Sequence, residues 1–383
     1  METKKIANYQ ISIPNDRITS IKEKVKAYDW TQLPDAGGWN AGVGIADLKR
    51  LVNYWVTDYD WSKTEQRLNQ LPQFITRIEG EPLHFIHVKG DSSKPPVLLL
   101  HGWPGSFLEF GTIPELLAAN GHDVIVPSLP GFAFSNPITC VIGPKRAAQL
   151  MFALMEQLFS DTKFIVQGGD WGAHIACWMA YQQPGILLGI HINMVSIYAE
   201  NSLPTTEEEK DLFKRRDFIL DWETGYNHQQ ETRPQTLGVA MADNPVGVAG
   251  WILEKFGKWA DLPRLTDGSP DIWNKFTEQQ LLDNIMLYIA PSAAVTATWI
   301  YHGKKLEGSD HFPADTHITV PTGVAAFPDP VFIPTPRSFV EKTYHVVHWS
   351  DLPSGGHFAA MEEPELFLKD FQAFIEKIHE GIQ

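Results

Sequence analysis

The stretch that decides the fold is KFIVQGGDWGAH, residues 163–174. Its apolar run, residues 164–166, is typical of a buried strand, because β-branched side chains suit a pleated sheet that is covered on both faces. Glycines at 168, 169 and 172 then surround a single acid, Asp170. From residue 173 onward, small and apolar residues recur at helical spacing. The stretch therefore predicts a strand that turns abruptly into a helix, with Asp170 at the tip of the turn.

A reactive residue at the tip of such a turn is the pattern called a nucleophile elbow. The turn requires glycine, because a side chain beside it would collide with the neighbouring strand or helix. Lipases and esterases carry serine at the tip, whereas this chain carries Asp170. A carboxylate can displace a leaving group from an sp³ carbon and form an alkyl ester, but it is poorly suited to opening amides. We therefore expect Asp170 to be a covalent nucleophile that attacks carbon.

The composition limits the class of protein. The chain has 383 residues, of which 43% are hydrophobic and 20% charged, as in an ordinary globular protein. Its formal net charge of -15, together with the lack of a basic patch with interleaved aromatic residues, argues against nucleic acid as a partner. Thirteen tryptophans fit either core packing or an aromatic-lined pocket, and the sequence does not decide between the two.

The cysteines and the N-terminus bear on location. Cys140 and Cys177 are the only cysteines, which implies neither a disulfide framework nor a zinc site. We therefore expect a cytoplasmic protein without a metal. Residues 1–10 contain no apolar stretch long enough for a signal peptide or a membrane anchor, so no membrane association is expected. The sequence leaves open whether the chain forms a homodimer.

The chain divides into three predicted parts. Residues 1–88 are predicted to form an N-terminal accessory segment that packs on the main domain. Residues 89–195 and 316–383 are predicted to form an α/β core, because apolar strands alternate there with helical segments. This alternation favours a mostly parallel central sheet with helices on both faces. Residues 196–315 carry charged stretches and helix-like runs, which predict a helical cap inserted into the core.

Periodicity and turn residues predict the individual elements. The predicted strands are 75–78 and 83–88 (a hairpin), 95–100, 123–126, 164–166, 187–194, 318–329 and 344–349. The predicted helices include 147–159 in the core, 247–256 and 279–297 in the cap, and 365–378 at the C-terminus.

An acid and a histidine follow the elbow in chain order. Asp329 comes after a strand-like run, and His357 follows a glycine pair in a loop after the last strand. The order nucleophile, acid, histidine is that of the α/β-hydrolase arrangement. Water activated by His357 would attack the ester and place an oxyanion at Asp170. The backbone amides of Trp103 and Trp171 are the expected donors to that oxyanion.

Several longer motifs extend over essentially the whole chain. They are WNAG (39–42), YDW (59–61), LNQLP (68–72), HGWPGS (101–106), GGDWG (168–172), DNPVG (243–247), ILEKF (252–256) and GGHFAA (355–360). With these motifs, the chain resembles the α/β-hydrolase-fold epoxide hydrolases. It is most similar to the branch that contains the microsomal epoxide hydrolases and their soluble microbial relatives. We expect a soluble member of that branch, without the membrane anchor of the vertebrate enzymes.

The resemblance implies a reaction and further site residues. It implies that a small-molecule epoxide is opened to a vicinal diol through an ester on Asp170, without a cofactor. Tyr226 and Tyr301 match the two ring-opening tyrosines of the family, whose phenol groups donate to the epoxide oxygen. Relatives place the acid that orients the histidine slightly later after a Phe-Pro pair than Asp329 stands here. Asp351, six positions before His357, is therefore its competitor, although the chain order favours Asp329.

Two other functions remain open on these residues. A haloalkane dehalogenase also uses an aspartate nucleophile, but it would need N–H donors for a halide and no phenols. A non-catalytic ligand receptor on the same fold would bind its ligand without forming an adduct. The sequence does not name the substrate, so lipid, terpenoid and aromatic epoxides and biosynthetic intermediates all remain candidates.

Overall fold

One sheet of nine strands forms the centre of the computed structural model, which describes residues 5–380. The strands are β1 (Ala7–Asn8), β2 (Gln73–Ile78), β3 (Glu81–Val88), β4 (Lys94–Leu100), β5 (His122–Pro127), β6 (Phe164–Gly168), β7 (Leu187–Ile192), β8 (Ile318–Ala326) and β9 (Tyr344–Asp351). Their order in the sheet is β1-β2-β3-β5-β4-β6-β7-β8-β9. The pairs from β1 to β5 are antiparallel, whereas every pair from β5 to β9 is parallel. This is the mostly parallel sheet of the α/β-hydrolase fold, as predicted.

Helices cover both faces of the sheet and form the cap. They are α1 (Asn15–Lys26), α2 (Ile45–Thr57), α3 (Trp61–Leu68), α4 (Ile113–Ala119), α5 (Pro144–Phe159), α6 (Asp170–Gln182), α7 (Glu207–Glu223), α8 (Gly225–Thr232), α9 (Pro234–Met241), α10 (Pro245–Trp259), α11 (Ile272–Lys275), α12 (Glu278–Ile289), α13 (Trp299–Glu307), α14 (Arg337–Val340), α15 (Ala359–Glu362) and α16 (Pro364–Glu380). None of the helices within residues 5–380 has the length and the apolar character needed to cross a membrane.

Strand β6 lies at the centre of the parallel half of the sheet. It pairs with β4 on one side and with β7 on the other, and all five of its residues are buried. Both faces are covered, so the strand is a continuous apolar run rather than an alternating one. Parallel strands end at the same edge of a sheet. The loops after β4, β6, β8 and β9 therefore meet there, and each of these loops carries one of the predicted core site residues.

The predicted accessory segment contributes both helices and strands. Helices α2 and α3 pack against the cap: the Trp273 Nε1 donates to Asp47 of α2 over 2.6 Å, and the Thr64 hydroxyl of α3 donates to Asp283 over 2.7 Å. Strands β2 and β3 form the predicted hairpin and extend the central sheet. Glu79 and Gly80 have φ angles of 51° and 93°, which is the left-handed backbone that a two-residue hairpin turn requires.

Three predicted elements end earlier in the structure. The strand predicted over 318–329 ends at Ala326 as β8. The predicted cap helix over 279–297 is wrong in its second half, because α12 ends at Ile289. Pro291 follows two residues later, and a proline has no backbone N–H with which to continue the hydrogen bonds of a helix. The strand predicted over 187–194 ends at Ile192 as β7. Within residues 207–307, the structure has the helices α7 to α13 and one short 3₁₀ helix, Thr296–Thr298.

Candidate active site

The elbow holds Asp170 in a backbone conformation that few residues adopt. Asp170 begins α6 directly after β6 and has a φ angle of 48°, in the left-handed region that is strained for a residue with a side chain. A Cβ on Gly172 would collide with the carbonyl of Leu100, and one on Gly168 would collide with the backbone of Gly172. Glycine is therefore required for strand and helix to approach this closely. The result is a carboxylate that projects from the sheet edge.

Two groups contact the Asp170 carboxylate from opposite sides. The amide of Trp103 donates a hydrogen bond of 2.8 Å to Oδ1, and the Nε2 of His357 lies 3.2 Å from Oδ2. The amide of Trp171 lies in the first turn of α6, where N–H groups have no partner within the helix. Gly102 permits the contact with the Trp103 loop, because a Cβ at Gly102 would collide with the Asp170 side chain.

The acid beside the histidine is Asp329. Its Oδ2 lies 2.8 Å from the Nδ1 of His357, and its Oδ1 accepts hydrogen bonds of 2.8 Å from the amides of Val331 and Phe332. Asp351, by contrast, is exposed at the end of β9 and accepts a hydrogen bond from the Nε1 of Trp349. The structure therefore places Asp329 next to His357, whereas the side chain of Asp351 bonds within β9, the strand that it ends.

The charge state of His357 follows from these neighbours. Burial lowers the pKa of the imidazole, but the hydrogen bonds and negative charges of Asp170 and Asp329 outweigh it and raise the pKa to about 10. At neutral pH His357 is consequently an imidazolium held between two carboxylates.

Tyr226 and Tyr301 come together above the elbow although 75 positions separate them in the chain. Tyr226 lies at the start of α8 and Tyr301 in α13, both are buried, and their ring centroids are 5.9 Å apart. Burial, together with the negative charge of Asp170, raises the pKa of both phenols well above its ordinary value. Both tyrosines therefore remain protonated at neutral pH and can donate hydrogen bonds.

Aromatic rings enclose these groups. Trp103 stacks on Tyr226 with ring centroids 5.3 Å apart, and Trp171 meets Tyr301 edge-on at 4.5 Å. Three of the thirteen tryptophans thus line the site, the third of which is Trp259. These three side chains are buried in the hydrophobic core and also surround the site, so core packing and an aromatic lining are not exclusive alternatives.

Two of the enclosing residues had no signal in the sequence. Trp259 lies with its ring centroid 4.8 Å from that of His357 and 5.2 Å from that of Tyr226. Phe332 lies 5.2 Å from the His357 ring. Both positions depend on how the cap and the loop after β8 pack, and no motif or periodicity reports this packing.

Within residues 5–380, no group of three or more histidine, cysteine or acidic side chains could hold a metal ion.

Family models match two parts of the chain. Residues 6–110 match the model described as epoxide hydrolase N terminus, and residues 95–233 match the model of the alpha/beta hydrolase fold. The two matches together include the hairpin, the elbow and the first cap helices.

Relatives match nearly the whole chain. A Stigmatella aurantiaca protein that carries a provisional epoxide hydrolase name is 36% identical over 386 residues, covering 96% of this chain and 84% of the relative. Epoxide hydrolase 1 of Oryctolagus cuniculus is 34% identical, covering 98% of this chain and 90% of its own length. The crystal structure of juvenile hormone epoxide hydrolase from the silkworm Bombyx mori is similar with a TM-score of 0.85 and 29% identity, covering 99% and 96% of the two chains. With this fold, these motifs and these relatives, the chain belongs to the epoxide hydrolase family.

Proposed function

We propose that this epoxide hydrolase opens a small-molecule epoxide to a vicinal diol in two steps, through a covalent ester on Asp170. The observation that supports the proposal most strongly is the set of groups that surround the Asp170 carboxylate. Asp170 lies on a strained elbow, contacts the Trp103 amide and His357, and lies near enough to two protonated phenols for its charge to raise their pKa values. Each of these groups has a use in one of the two steps.

In the first step, an oxygen of Asp170 attacks an epoxide carbon and the ring C–O bond breaks. The ring oxygen develops negative charge and takes a proton from Tyr226 or Tyr301, which yields an alcohol and an alkyl ester. Buried phenols suit this role, because a fixed donor in a site closed to water costs no reorganisation when charge develops. The resulting phenolate recovers its proton before the next turnover.

The formation of the ester prepares His357 for the second step. An ester carries no charge, so alkylation removes one of the two carboxylates that raise the pKa of His357. The pKa of the imidazole therefore falls, and the ring can lose its proton and become a base. This proton balances the one that the phenolate of the first step takes up to become a phenol again. Asp329 keeps the ring oriented and stabilises the imidazolium that forms when His357 takes a proton from water.

Water then attacks the carbonyl carbon of the ester. The tetrahedral intermediate carries an oxyanion, for which the Trp103 amide is the first donor, because it already contacts Oδ1. The amide of Trp171, in the first turn of α6, is the proposed second donor. Collapse of the intermediate breaks the C–O bond to the diol, and the departing alkoxide takes the second proton of the water. The diol is released, Asp170 returns to the carboxylate and His357 keeps the first proton.

The phenols separate this proposal from the two alternatives. A dehalogenase needs donors for a halide and has no use for Tyr226 and Tyr301 as acids. A receptor has no use for a strained nucleophile next to a His–Asp pair.

For the substrate we propose a largely apolar epoxide, because aromatic rings surround Asp170. The proposal is tested with a panel of mono- to trisubstituted epoxides, by product analysis for diols and by halide release from haloalkanes. Halide release without epoxide opening would overturn it.

We also propose a cytoplasmic location, because Cys140 and Cys177 are both free thiols, as is usual in a reducing compartment. Fractionation of the source cells tests this location. Analytical ultracentrifugation decides between a monomer and the homodimer that the sequence left open.

A further inference from the structure

Four consecutive backbone amides in the loop that carries His357 are each hydrogen-bonded to a group outside the loop. The acceptors come from the cap, at the end of α10, or from the side chain of Glu362 in α15. The bonds are Gly355 N to Asp261 Oδ2 (3.1 Å), Gly356 N to Glu362 Oε2 (2.9 Å), His357 N to Trp259 O (3.0 Å) and Phe358 N to Glu362 Oε1 (2.9 Å). The backbone on both sides of the histidine is therefore fixed by side-chain and cap contacts, although the segment is a loop.

The side chain of Glu362 is hydrogen-bonded both to the loop that carries His357 and to the cap. Besides the amides of Gly356 and Phe358, its Oε2 accepts a hydrogen bond of 2.7 Å from the amide of Asp261 in the cap. The residue is buried, with 5% of its surface exposed. Burial raises the pKa of its carboxyl to about 7, while the three amide donors act in the opposite direction. One carboxylate thus connects the base loop of the core to the cap.

The cap lies directly against this loop. A Cβ on Gly356 would stand 2.5 Å from the amide nitrogen of Asp261 and 2.7 Å from the carbonyl oxygen of Trp259, so only glycine permits the approach. The ring of Trp259 packs against the imidazole of His357. The position of the base therefore depends on the position of residues 259–261.

We propose that Glu362 is a positioning residue that holds His357 in place for ester hydrolysis and sets the base loop against the cap. The inference rests on the proposed two-step reaction. Only the second step needs a base for water, whereas the first step uses Asp170 and the two phenols, which lie outside the loop. Loss of the Glu362 contacts should therefore slow hydrolysis of the ester much more than its formation. A displacement of catalytic groups by about 1 Å can reduce a rate by about 10²-fold.

The test is the variant Glu362→Gln in single-turnover kinetics. The amide keeps the size of the side chain but replaces one accepting oxygen with a donor, which then faces a backbone N–H. We expect hydrolysis of the alkyl-enzyme to slow by about 10²-fold, with little change in alkylation. The alkylated protein should accumulate and be visible by intact mass. Glu365→Gln is the matched control, because Glu365 is exposed in the first turn of the following helix, and it should behave as wild type.

A spectroscopic measurement separates positioning from a loss of stability. The proton on Nδ1 of His357, bonded to Asp329 over 2.8 Å, should give a downfield NMR resonance that shifts or broadens in Glu362→Gln but not in Glu365→Gln. If Glu362→Gln does not fold, Asp261→Ala removes the acceptor for Gly355 from the cap side and should impair the same step.

Wild-type hydrolysis and an unchanged resonance in a folded Glu362→Gln protein would overturn the inference. His357→Gln shows whether such a failure extends to the proposed function. If His357→Gln accumulates the ester while Glu362→Gln turns over normally, only the inference about Glu362 fails. If neither the wild type nor His357→Gln ever forms an ester, the two-step reaction itself fails.

Discussion

At the scale of single residues, the site depends on a few side chains that the sequence marks to different degrees. Asp170 was predicted from its own neighbours, because glycines and a strand-to-helix pattern are local signals. His357 was predicted from chain order and its loop. Tyr226 and Tyr301 came only from the resemblance, since nothing local distinguishes them among ten tyrosines. Trp259 and Phe332 could not be predicted, because their contacts with His357 arise from packing between distant segments.

The two phenols carry the first prediction. Tyr226→Phe and Tyr301→Phe should each slow alkylation of Asp170 while the fold is kept, because each variant removes one donor to the developing oxyanion. Loss of one such donor typically reduces a rate by about 10²–10³-fold. The two phenols can partly replace each other, so single losses can be smaller, and the double variant should be nearly inactive. Rapid-quench measurement of the alkyl-enzyme checks this, and an unchanged alkylation rate in the double variant would exclude both tyrosines as acids.

The two candidate acids carry the second prediction. Asp329→Asn should spare alkylation but strongly slow ester hydrolysis, because the imidazolium of His357 loses the carboxylate 2.8 Å from Nδ1. Asp351→Asn is the matched control and should be nearly silent, because Asp351 is exposed and bonds only locally to Trp349. Pre-steady-state kinetics on both variants measures the two steps separately. The opposite pattern would assign the orienting role to Asp351.

At the scale of elements, helix α16 links two strands through one buried acid. Asp370 of α16 contacts the Nε2 of His191 in β7 and the Nε2 of His348 in β9, each over 2.9 Å, and so spans the intervening strand β8. Burial raises the pKa of Asp370, but the hydrogen bonds from both histidines outweigh it and hold the pKa well below its ordinary range. The sequence predicted the helix from its period, but it could not pair these three residues, because sheet order is not a local property.

The cluster around Asp370 gives the third prediction. Asp370→Ala leaves the buried imidazole of His191 without its hydrogen-bond partner and should lower the free energy of unfolding by about 1–3 kcal/mol. Glu376→Ala on the exposed side of the same helix should change it by less than about 0.5 kcal/mol. Denaturant unfolding measures both, and equal stabilities of the two variants would contradict the prediction.

The same cluster fixes the sign of a pH effect. A carboxyl whose pKa is lowered by folding contributes stability above its unfolded pKa, and this contribution is lost as the pH falls toward its folded pKa. The stability difference between wild type and Asp370→Ala should therefore narrow as the pH is lowered below about 4. A difference that widened in acid would mean that Asp370 is not ionised in the folded protein.

At the scale of the whole molecule, the site forms between the core and the cap. The core supplies Asp170 and His357 at one edge of the sheet, and the cap helices α8, α10 and α13 bring aromatic residues over them. Helices α2 and α3 of the N-terminal segment are hydrogen-bonded to the cap. The parallel core was predictable because buried strands and helices alternate in the sequence. The docking of cap on core was not, because it depends on contacts between residues 95 or more positions apart, such as those of Gly356 with residues 259–261 and of Glu362 with Asp261.

The central claim, that Asp170 is the covalent nucleophile, is tested most directly by isotope transfer in one turnover. The enzyme, in excess over an epoxide substrate, is reacted in water enriched in ¹⁸O, and the diol and the peptide containing Asp170 are analysed by mass spectrometry. Because water attacks the carbonyl carbon of the ester, we predict that the label enters the Asp170 carboxylate and that the first diol formed carries none. Label in the diol at the first turnover, with an unlabelled Asp170, would show that water attacks the epoxide itself and would contradict the covalent mechanism.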